Sequence, residues 1–319
     1  MCRCLKALSA NSVRVLTVCC PLLLLTLPCA AWDSRQLQHP VVVDGLTVAH
    51  PVMAVFRLPG AELDLQADGG LTLIDSAPGV AVRETEQGLV LRLPEHSGWY
   101  SVVLRNTRTQ QAFQLNAYAL VPMSALDERG YLGGYRVGTY PPARNPELTL
   151  DDAPAGFIEL TEATGGIRVS PNFTLSQFAC KQSGGYPKYV VLRPELVLKL
   201  ERVLRAVNEA GNATDTFHVM SGYRTPFYNR AIGNVPYSRH VWGGAADIFV
   251  DAQPQDGVMD DLNGDGVFNK QDALWLAALI EGLSTAEHVS QHGGLGSYGS
   301  NAAHGPFVHV DVRGYRARW

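Results

Sequence analysis

Residues 238–250 read SRHVWGGAADIFV, in which a polar turn with two glycines leads into a continuous apolar run. His240 lies in the turn, and Asp247 opens the apolar run seven residues further along the chain. A short apolar run that follows a turn is typical of a buried strand. The segment therefore predicts a turn that carries a histidine, followed by a strand that begins at an aspartate.

A second apolar run, residues 307–312, contains His309 and predicts another strand. Two imidazoles and one carboxylate suit zinc, and a set of three protein ligands leaves a fourth position for water, as in catalytic zinc sites. Since 62 residues separate Asp247 from His309, spacing alone leaves two interpretations of His240, Asp247 and His309. They form a metal site, or they are hydrogen-bonded polar residues at strand ends.

The region around these residues, 170–319, is predicted to be an α+β domain. A helix should have Pro194 in its first turn and Gly211 beyond its end. Its apolar side chains recur at helical spacing, at Leu196, Leu200, Val203, Leu204 and Val207. A second helix is predicted at 271–282, and further strand-like runs lie at 217–220 and 247–250.

The preceding region, 40–122, predicts an all-β, sandwich-like accessory domain, because short apolar runs alternate with turn residues. The runs are 41–43, 52–58, 71–74, 89–93, 99–104 and 112–121. Residues 123–169 are rich in Gly and Pro and predict a connecting segment. In that segment Tyr131, Tyr135 and Tyr140 either line a groove or pack the segment onto a neighbouring domain.

The first 31 residues predict a signal peptide, since three basic residues and no acid precede an apolar run that ends in Ala30 and Ala31. A membrane anchor is the alternative, but two prolines interrupt the run and it is short for a membrane span. We therefore expect export to the periplasm or cell envelope, with membrane contact only through the signal peptide.

Removal of this peptide would leave Cys180 as the only cysteine, so no intrachain disulfide is expected. Its thiol is expected to be a small buried apolar group, with a nucleophile as the alternative. The same cleavage removes three of 26 basic residues and leaves 30 acids, a net charge of −7. This charge argues against nucleic acid as a partner.

Three motifs follow one another in the carboxyl-terminal region: SGYRT at 221–225, SRH at 238–240 with Gly244 and Asp247 after it, and FVHVD at 307–311. Together they resemble the M15 family of zinc peptidases, in particular its subfamily A, the D-alanyl-D-alanine carboxypeptidase-like branch. The resemblance covers roughly 170–319 and not the β region. It implies that His240, Asp247 and His309 bind zinc and that Arg224 holds the substrate or its developing oxyanion.

Three further residues have two interpretations each. The planar fork of Arg224 suits a carboxylate or an oxyanion, or it forms a structural salt bridge. Ser238 binds a substrate amide or caps a turn. Asp311, on the same strand face as His309, orients that imidazole or forms a surface ion pair with Arg313.

One position departs from the family pattern. The dipeptidase branch has a glutamate three residues before the last histidine, and this chain has Pro306 there. His304 corresponds to a histidine of the carboxypeptidase branch and is expected to shuttle a proton or donate to the oxyanion, because an unperturbed imidazole titrates near neutrality. The alternative is an exposed loop histidine.

Residues 261–272 read DLNGDGVFNKQD and resemble an EF-hand calcium loop of the dockerin type, with oxygen ligands at positions 1, 3, 5, 9 and 12 and glycine at 6. The expected calcium ligands are Asp261, Asn263, Asp265, Asp272 and the Val267 carbonyl. The alternative is a hydrated acidic turn. Because the loop lies between Asp247 and His309, bracing the zinc site is its expected role.

The function expected from these features is an exported zinc metallopeptidase that hydrolyses peptidoglycan or its stem peptides, as a carboxypeptidase or a cross-link endopeptidase. The alternative is a non-catalytic module, stabilised by zinc and calcium, that binds cell wall. A scaffold assembled through the calcium loop is a weaker hypothesis, since dockerins carry the loop in duplicate and the sequence has one copy.

Overall fold

Alternating apolar residues build two facing sheets in the first third of the described chain. The computed structural model describes residues 31–144, 151–286 and 293–319. The strands of this region are β1 (Val41–Val43), β2 (Leu46–Val48), β3 (Val52–Arg57), β4 (Glu62–Ala67), β5 (Leu71–Ser76), β6 (Ala81–Thr85), β7 (Gly88–Arg92), β8 (Gly98–Asn106) and β9 (Ala112–Ala119). The predicted signal peptide lies outside the described residues, apart from Ala31.

The two sheets have the strand orders β2-β1-β4-β7-β6 and β3-β9-β8-β5. Leu65 and Leu91 of the first sheet and Leu104 and Leu115 of the second are fully buried in one apolar core, as in a sandwich. One pair in these sheets is parallel, since β3 runs in the same direction as its neighbour β9. Parallel neighbours need a long crossover connection, and here β4 to β8 supply it.

The segment predicted as a connection contains short strands and packs firmly. Together with the strands just before and after the segment, they are β10 (Val121–Pro122), β11 (Tyr131–Leu132), β12 (Tyr135–Arg136), β13 (Gly156–Leu160), β14 (Arg168–Ser170), β15 (Phe173–Thr174) and β16 (Lys188–Val190). Turns of 3-10 helix cover Met123–Ala125 and Leu175–Phe178. Tyr135 and Tyr140 are buried against Trp242 and its neighbours, which favours packing over a groove at these two positions.

The carboxyl-terminal region is α+β. Its elements are α1 (Pro194–Glu209), β17 (His218–Ser221), α2 (Pro226–Ala231), a 3-10 turn (Arg239–Trp242), β18 (Ala245–Phe249), α3 (Lys270–Ala286), β19 (Gly294–Tyr298), β20 (Phe307–Asp311) and β21 (Ala317–Arg318). The strands form one sheet in the order β17-β18-β20-β19-β21. β18 and β20 therefore lie side by side within it.

Helix α1 shows how local signals set this architecture. Pro194 occupies the first helical turn, and the chain leaves the helix at Gly211, whose φ of +97° is unfavourable for residues with a Cβ. All five predicted apolar positions of the helix are buried. Helix α3 is longer than predicted at both ends, and α2, which Thr225 caps through its hydroxyl, was missed.

The apolar core continues from the sandwich into the carboxyl-terminal region, and residues Trp32–Trp319 form one compact unit. The domain boundaries near 122 and 170 stay predictions. Cys180 is buried and free, as expected. Among the described helices, none combines the length and apolar character that a membrane span requires.

Candidate metal centre

Strand register brings Asp247 and His309 together despite the 62 residues between them. In the antiparallel β18–β20 ladder these two residues are direct partners. Side chains of opposite residues point to the same face of a sheet and lie about 5 Å apart at Cβ. Ser221 of β17 is the partner of Asp247 on the other side. The centre of the sheet thus presents Ser221, Asp247 and His309 in one row.

His240 reaches this row from the 3-10 turn, which ends at Gly243 with φ of +62°. A Cβ on Gly243 would lie 2.2 Å from the Val191 carbonyl oxygen, so the backbone there has no room for a side chain. The Nδ1 of His240 lies 2.7 Å from the Gly222 carbonyl oxygen. Gly222 in turn packs so close to Phe178 that a Cβ would lie 2.6 Å from the Phe178 Cα.

Three ligand atoms meet in a small triangle. His309 Nδ1 lies 2.8 Å and His240 Nε2 lies 3.2 Å from Asp247 Oδ1, and the two nitrogens are 3.2 Å apart. Zinc–ligand bonds of about 2.0–2.2 Å at tetrahedral angles place ligand atoms about 3.3–3.6 Å apart. Among the described residues, this is the one group of His, Cys, Asp or Glu ligands that can hold a metal. The residues present therefore fit zinc.

A hydrogen bond to the far side of each ligand fixes its orientation. The Nδ1–H of His240 donates to Gly222 O, which leaves Nε2 free to bind a metal. His309 uses the opposite nitrogens: Nε2 lies 3.2 Å from Asp311 Oδ2, and Nδ1 faces the triangle. Arg224 Nη2 donates to Asp247 Oδ2, so Oδ1 is the oxygen presented to the metal. Such outer partners hold metal ligands in position.

The charges of the centre are set by the same contacts. Burial would raise the pKa of Asp247, but His240 and His309 outweigh it and hold that pKa below its ordinary value. Burial lowers the pKa of His240 and so favours its neutral form. Burial would also lower the pKa of His309, but its contacts with the carboxylates of Asp247 and Asp311 on either side of the ring raise that pKa above its ordinary value. At neutral pH the Asp247 carboxylate is therefore ionised and available as a ligand.

The three ligands line the wall of a cavity of about 720 Å³. Arg224, Ser238 and His304 line the same cavity, so the structure brings together every predicted zinc-site residue except Asp311, which is buried behind His309. Three protein ligands that face an open cavity are the arrangement of a catalytic zinc site rather than a closed structural one.

The outcomes for the three residues with two interpretations differ. Arg224 forms a salt bridge to Asp247 and also lines the cavity, so its position is compatible with both interpretations, the structural salt bridge and the binding of an anion. Ser238 makes no cap hydrogen bond through its side chain and faces the cavity. Asp311 contacts His309, in agreement with the first interpretation; it also pairs with Arg313, but its carboxylate is fully buried, so the alternative of a surface ion pair is wrong.

His304 is held in one orientation rather than free in a loop. Its Nε2 lies 2.8 Å from the Asn301 Nδ2, and its Nδ1 lies 2.8 Å from the Gly305 carbonyl oxygen. Its ring meets Phe307 edge to face at 4.8 Å between centroids. Pro306 is buried and offers no carboxylate at the position of the missing glutamate. The role of His304 as a proton carrier stays a prediction.

Several further residues that line the cavity were not predicted as site residues from the sequence. They are Arg144, Arg239, Tyr298, Arg313, Tyr315 and Trp319. Trp319, the last residue, packs 5.2 Å from the His309 ring, and Arg239 is next to a ligand in the SRH motif. Of these residues, Arg239 alone had a sequence signal, which was its position next to His240.

The loop at 261–272 closes on itself through backbone amides. Asp261 accepts hydrogen bonds from Gly264 and Gly266, and Asp272, in the first turn of α3, accepts one from the Leu262 amide at 3.0 Å. The three loop carboxylates are not gathered within ligand distance of one another as the zinc ligands are. Calcium binding by this loop therefore stays a proposal.

Gly243→Ala is expected to destabilise the fold by at least about 2 kcal/mol, because the new Cβ adds a steric clash to the roughly 1–2 kcal/mol cost of the left-handed conformation. Denaturant unfolding measures the loss. Gly233→Ala is the matched control: its φ is +74° but a Cβ meets nothing within 4 Å. Equal losses in the two variants would show that the contact with Val191 is unimportant.

Comparison with known families agrees with the geometry. A family model described as Peptidase M15 matches residues 171–267, a stretch that contains Arg224, His240 and Asp247. No curated protein matches the chain. The match supports the resemblance to the M15 family, whose members are zinc-dependent peptidases, over the first two motifs; the third motif, with His309, lies outside the matched residues. The carboxypeptidase-like branch stays a prediction.

Proposed function

We propose that the protein is an exported zinc metallopeptidase that hydrolyses the stem peptides of peptidoglycan in the periplasm or cell envelope. The observation that carries this proposal is the three-ligand centre of His240, Asp247 and His309 at the wall of an open cavity. The M15 match supports peptide hydrolysis. The peptidoglycan substrate rests on the motifs that resemble D-alanyl-D-alanine carboxypeptidases, and the exported location rests on the predicted signal peptide.

His240, Asp247 and His309 would hold the zinc ion. When bound, zinc supplies a Lewis acid that polarises the scissile carbonyl and makes water nucleophilic near neutral pH. The protein contributes the fixed geometry of the ligands. Gly222 O, Arg224 and Asp311 hold one ligand each, so little reorganisation is needed when the substrate arrives.

Arg224 and His304 supply the remaining chemistry. The Arg224 guanidinium is anchored by Ser221 Oγ at 2.7 Å and by Asp247, and its fixed positive charge lies at the cavity wall where negative charge develops on the carbonyl oxygen. His304 lines the same cavity and can carry a proton to the leaving amine. Ser238 is placed to hold a substrate amide. Pro306 makes His304 the main candidate for proton transfer.

Two substrates decide which bond is cut. A stem peptide that ends in D-alanyl-D-alanine tests for the carboxypeptidase, whose product lacks one alanine by mass. A cross-linked peptide dimer tests for the endopeptidase, whose products are monomers. The proposal predicts one of these products. If the protein is retained on cell-wall material but cleaves neither substrate, the binding-module alternative is favoured.

We also propose that loop 261–272 binds calcium and braces the zinc site. The proposal is supported by the position of the loop between Asp247 and His309 and by α3, which starts at the loop and packs against β19 and β20. Gly264 and Gly266 adopt positive φ of +75° and +80°, which a tight cation-binding loop needs.

Calcium at millimolar concentration is expected to raise the melting temperature by about 2–4 °C, because a ligand bound only by the folded state stabilises it by roughly 1.4 kcal/mol at ten times its Kd. Scanning calorimetry with and without the ion measures the shift. Asp265→Ala should abolish it, whereas Asp256→Ala, an exposed acid outside the loop, should not. An unchanged wild-type melting temperature would contradict the proposal.

A further inference from the structure

The cavity wall is positively charged although the chain carries a net charge of −4. Four guanidinium groups line it: Arg144, Arg224, Arg239 and Arg313. Among the described residues, their carboxylate partners are Asp151, which Arg144 and Arg239 share, Asp247 for Arg224, and Asp311 for Arg313. Of the described residues that line the cavity, Asp247 is the only acid beside these four arginines. Such a surface attracts an anionic ligand.

Arg144 differs from the other three in exposure. Its side chain is 52% exposed, against 12% for Arg224, 5% for Arg239 and 19% for Arg313. Arg224 pairs with the ligand Asp247, Arg313 pairs with Asp311 behind His309, and Arg239 is buried against Asp151. Arg144 is therefore the guanidinium whose donors a ligand can reach from solvent.

Arg144 is nevertheless held in place. Its Nε donates to Asp151 Oδ2 at 2.8 Å, and its guanidinium carbon lies 4.3 Å from the centre of the Tyr237 ring. The other oxygen of Asp151 accepts from the buried Arg239 at 2.6 Å. Since Arg239 precedes His240, this chain of contacts fixes Arg144 relative to a zinc ligand. A preorganised fork loses little entropy when it binds a second carboxylate.

We propose that Arg144 determines substrate specificity by binding a carboxylate of the peptide at a distance from the scissile bond. The inference rests on the proposed peptidase function and adds the residue that selects an anionic substrate. Arg144 contacts Asp151 and Tyr237 rather than a zinc ligand, and it comes from the segment before residues 171–267 that match the family. A guanidinium pairs with a carboxylate through parallel hydrogen bonds, which gives both charge and geometric selectivity.

The test uses Arg144→Gln, which removes the charge and keeps a donor for Asp151. Three forms of the stem peptide are compared: all carboxylates free, the acidic side branch amidated, and the terminal carboxyl amidated. Wild type should lose roughly 10-fold in kcat/KM on one amidated form, mainly through KM. On the free peptide, kcat/KM of Arg144→Gln should be lower than that of wild type by the same factor. On that amidated form the variant should show no further loss, so its kcat/KM should equal that of wild type. The amidated form that gives this pattern identifies the carboxylate that Arg144 binds.

Arg129→Gln is the control, because Arg129 is an exposed arginine of the same segment that pairs with Asp127 outside the cavity. It should leave all three rates unchanged. Equal losses of Arg144→Gln on all three peptides would overturn the inference and indicate a structural role. Binding of the three peptides is measured in parallel by calorimetry. If wild type binds without cutting, the proposed function fails while the binding differences still decide the role of Arg144; if it binds none of them, both fail.

Discussion

His240→Ala and His309→Ala are each expected to lose zinc and to reduce hydrolysis by about 10³-fold or more, since the metal supplies several kcal/mol of transition-state stabilisation. Each substitution removes one corner of a triangle with edges of 2.8, 3.2 and 3.2 Å. The two ligands left cannot close a tetrahedral site with water. Metal analysis of the dialysed protein and the rate on a stem peptide measure the two losses.

His218→Ala is the matched control for these variants. His218 lies on β17 of the same sheet, where it stacks on Phe249 at 4.4 Å between ring centroids and is not a predicted ligand. Its variant should keep one zinc per chain and full activity. Stoichiometric zinc in both ligand variants would contradict the assignment of His240 and His309 as zinc ligands.

Arg224→Ala is expected to have two separable effects. Loss of the hydrogen bond to Asp247 Oδ2 should weaken zinc binding by about 10- to 100-fold, the usual effect of removing a partner of a metal ligand. At saturating zinc, turnover should still be about 10²- to 10³-fold below wild type, because the charge that stabilises the oxyanion is gone. Zinc titration and kcat at full occupancy measure the two effects.

Arg224→Lys separates them further. A lysine retains the charge but not the fork that binds Ser221 and Asp247 together, so it should recover part of the turnover and little of the zinc affinity. If Arg224→Ala turned over at the wild-type rate once zinc is saturating, Arg224 would be a structural support only.

The carboxyl-terminal fold could be predicted from the sequence where local signals are strong. Pro194 and Gly211 bound helix α1 as expected, and the strands that carry Asp247 and His309 were found from their apolar runs. Their pairing as neighbours was not predictable in the same way. Register depends on the whole sheet, and neither run indicates which strand lies beside it.

The ion pairs around the site were harder to predict from the sequence, and the reason is physical. Arg144, Asp151 and Arg239 form one network although up to 95 positions separate the first and last. A salt bridge between distant segments has no periodicity that a sequence displays. Asp311 shows the same limit: the motif placed it beside His309, but its burial with Arg313 follows from packing against Gly294.

The central claim is that zinc at His240, Asp247 and His309 makes this protein a peptidoglycan peptidase. Its most direct test is digestion of purified muropeptides by the mature protein, first after treatment with a chelator and then after stepwise return of zinc, with products read by mass. We expect no cleavage in the chelated protein and recovery in proportion to zinc up to one ion per chain. Muropeptides left uncut by the zinc-loaded protein, or cut equally well without zinc, would contradict the account.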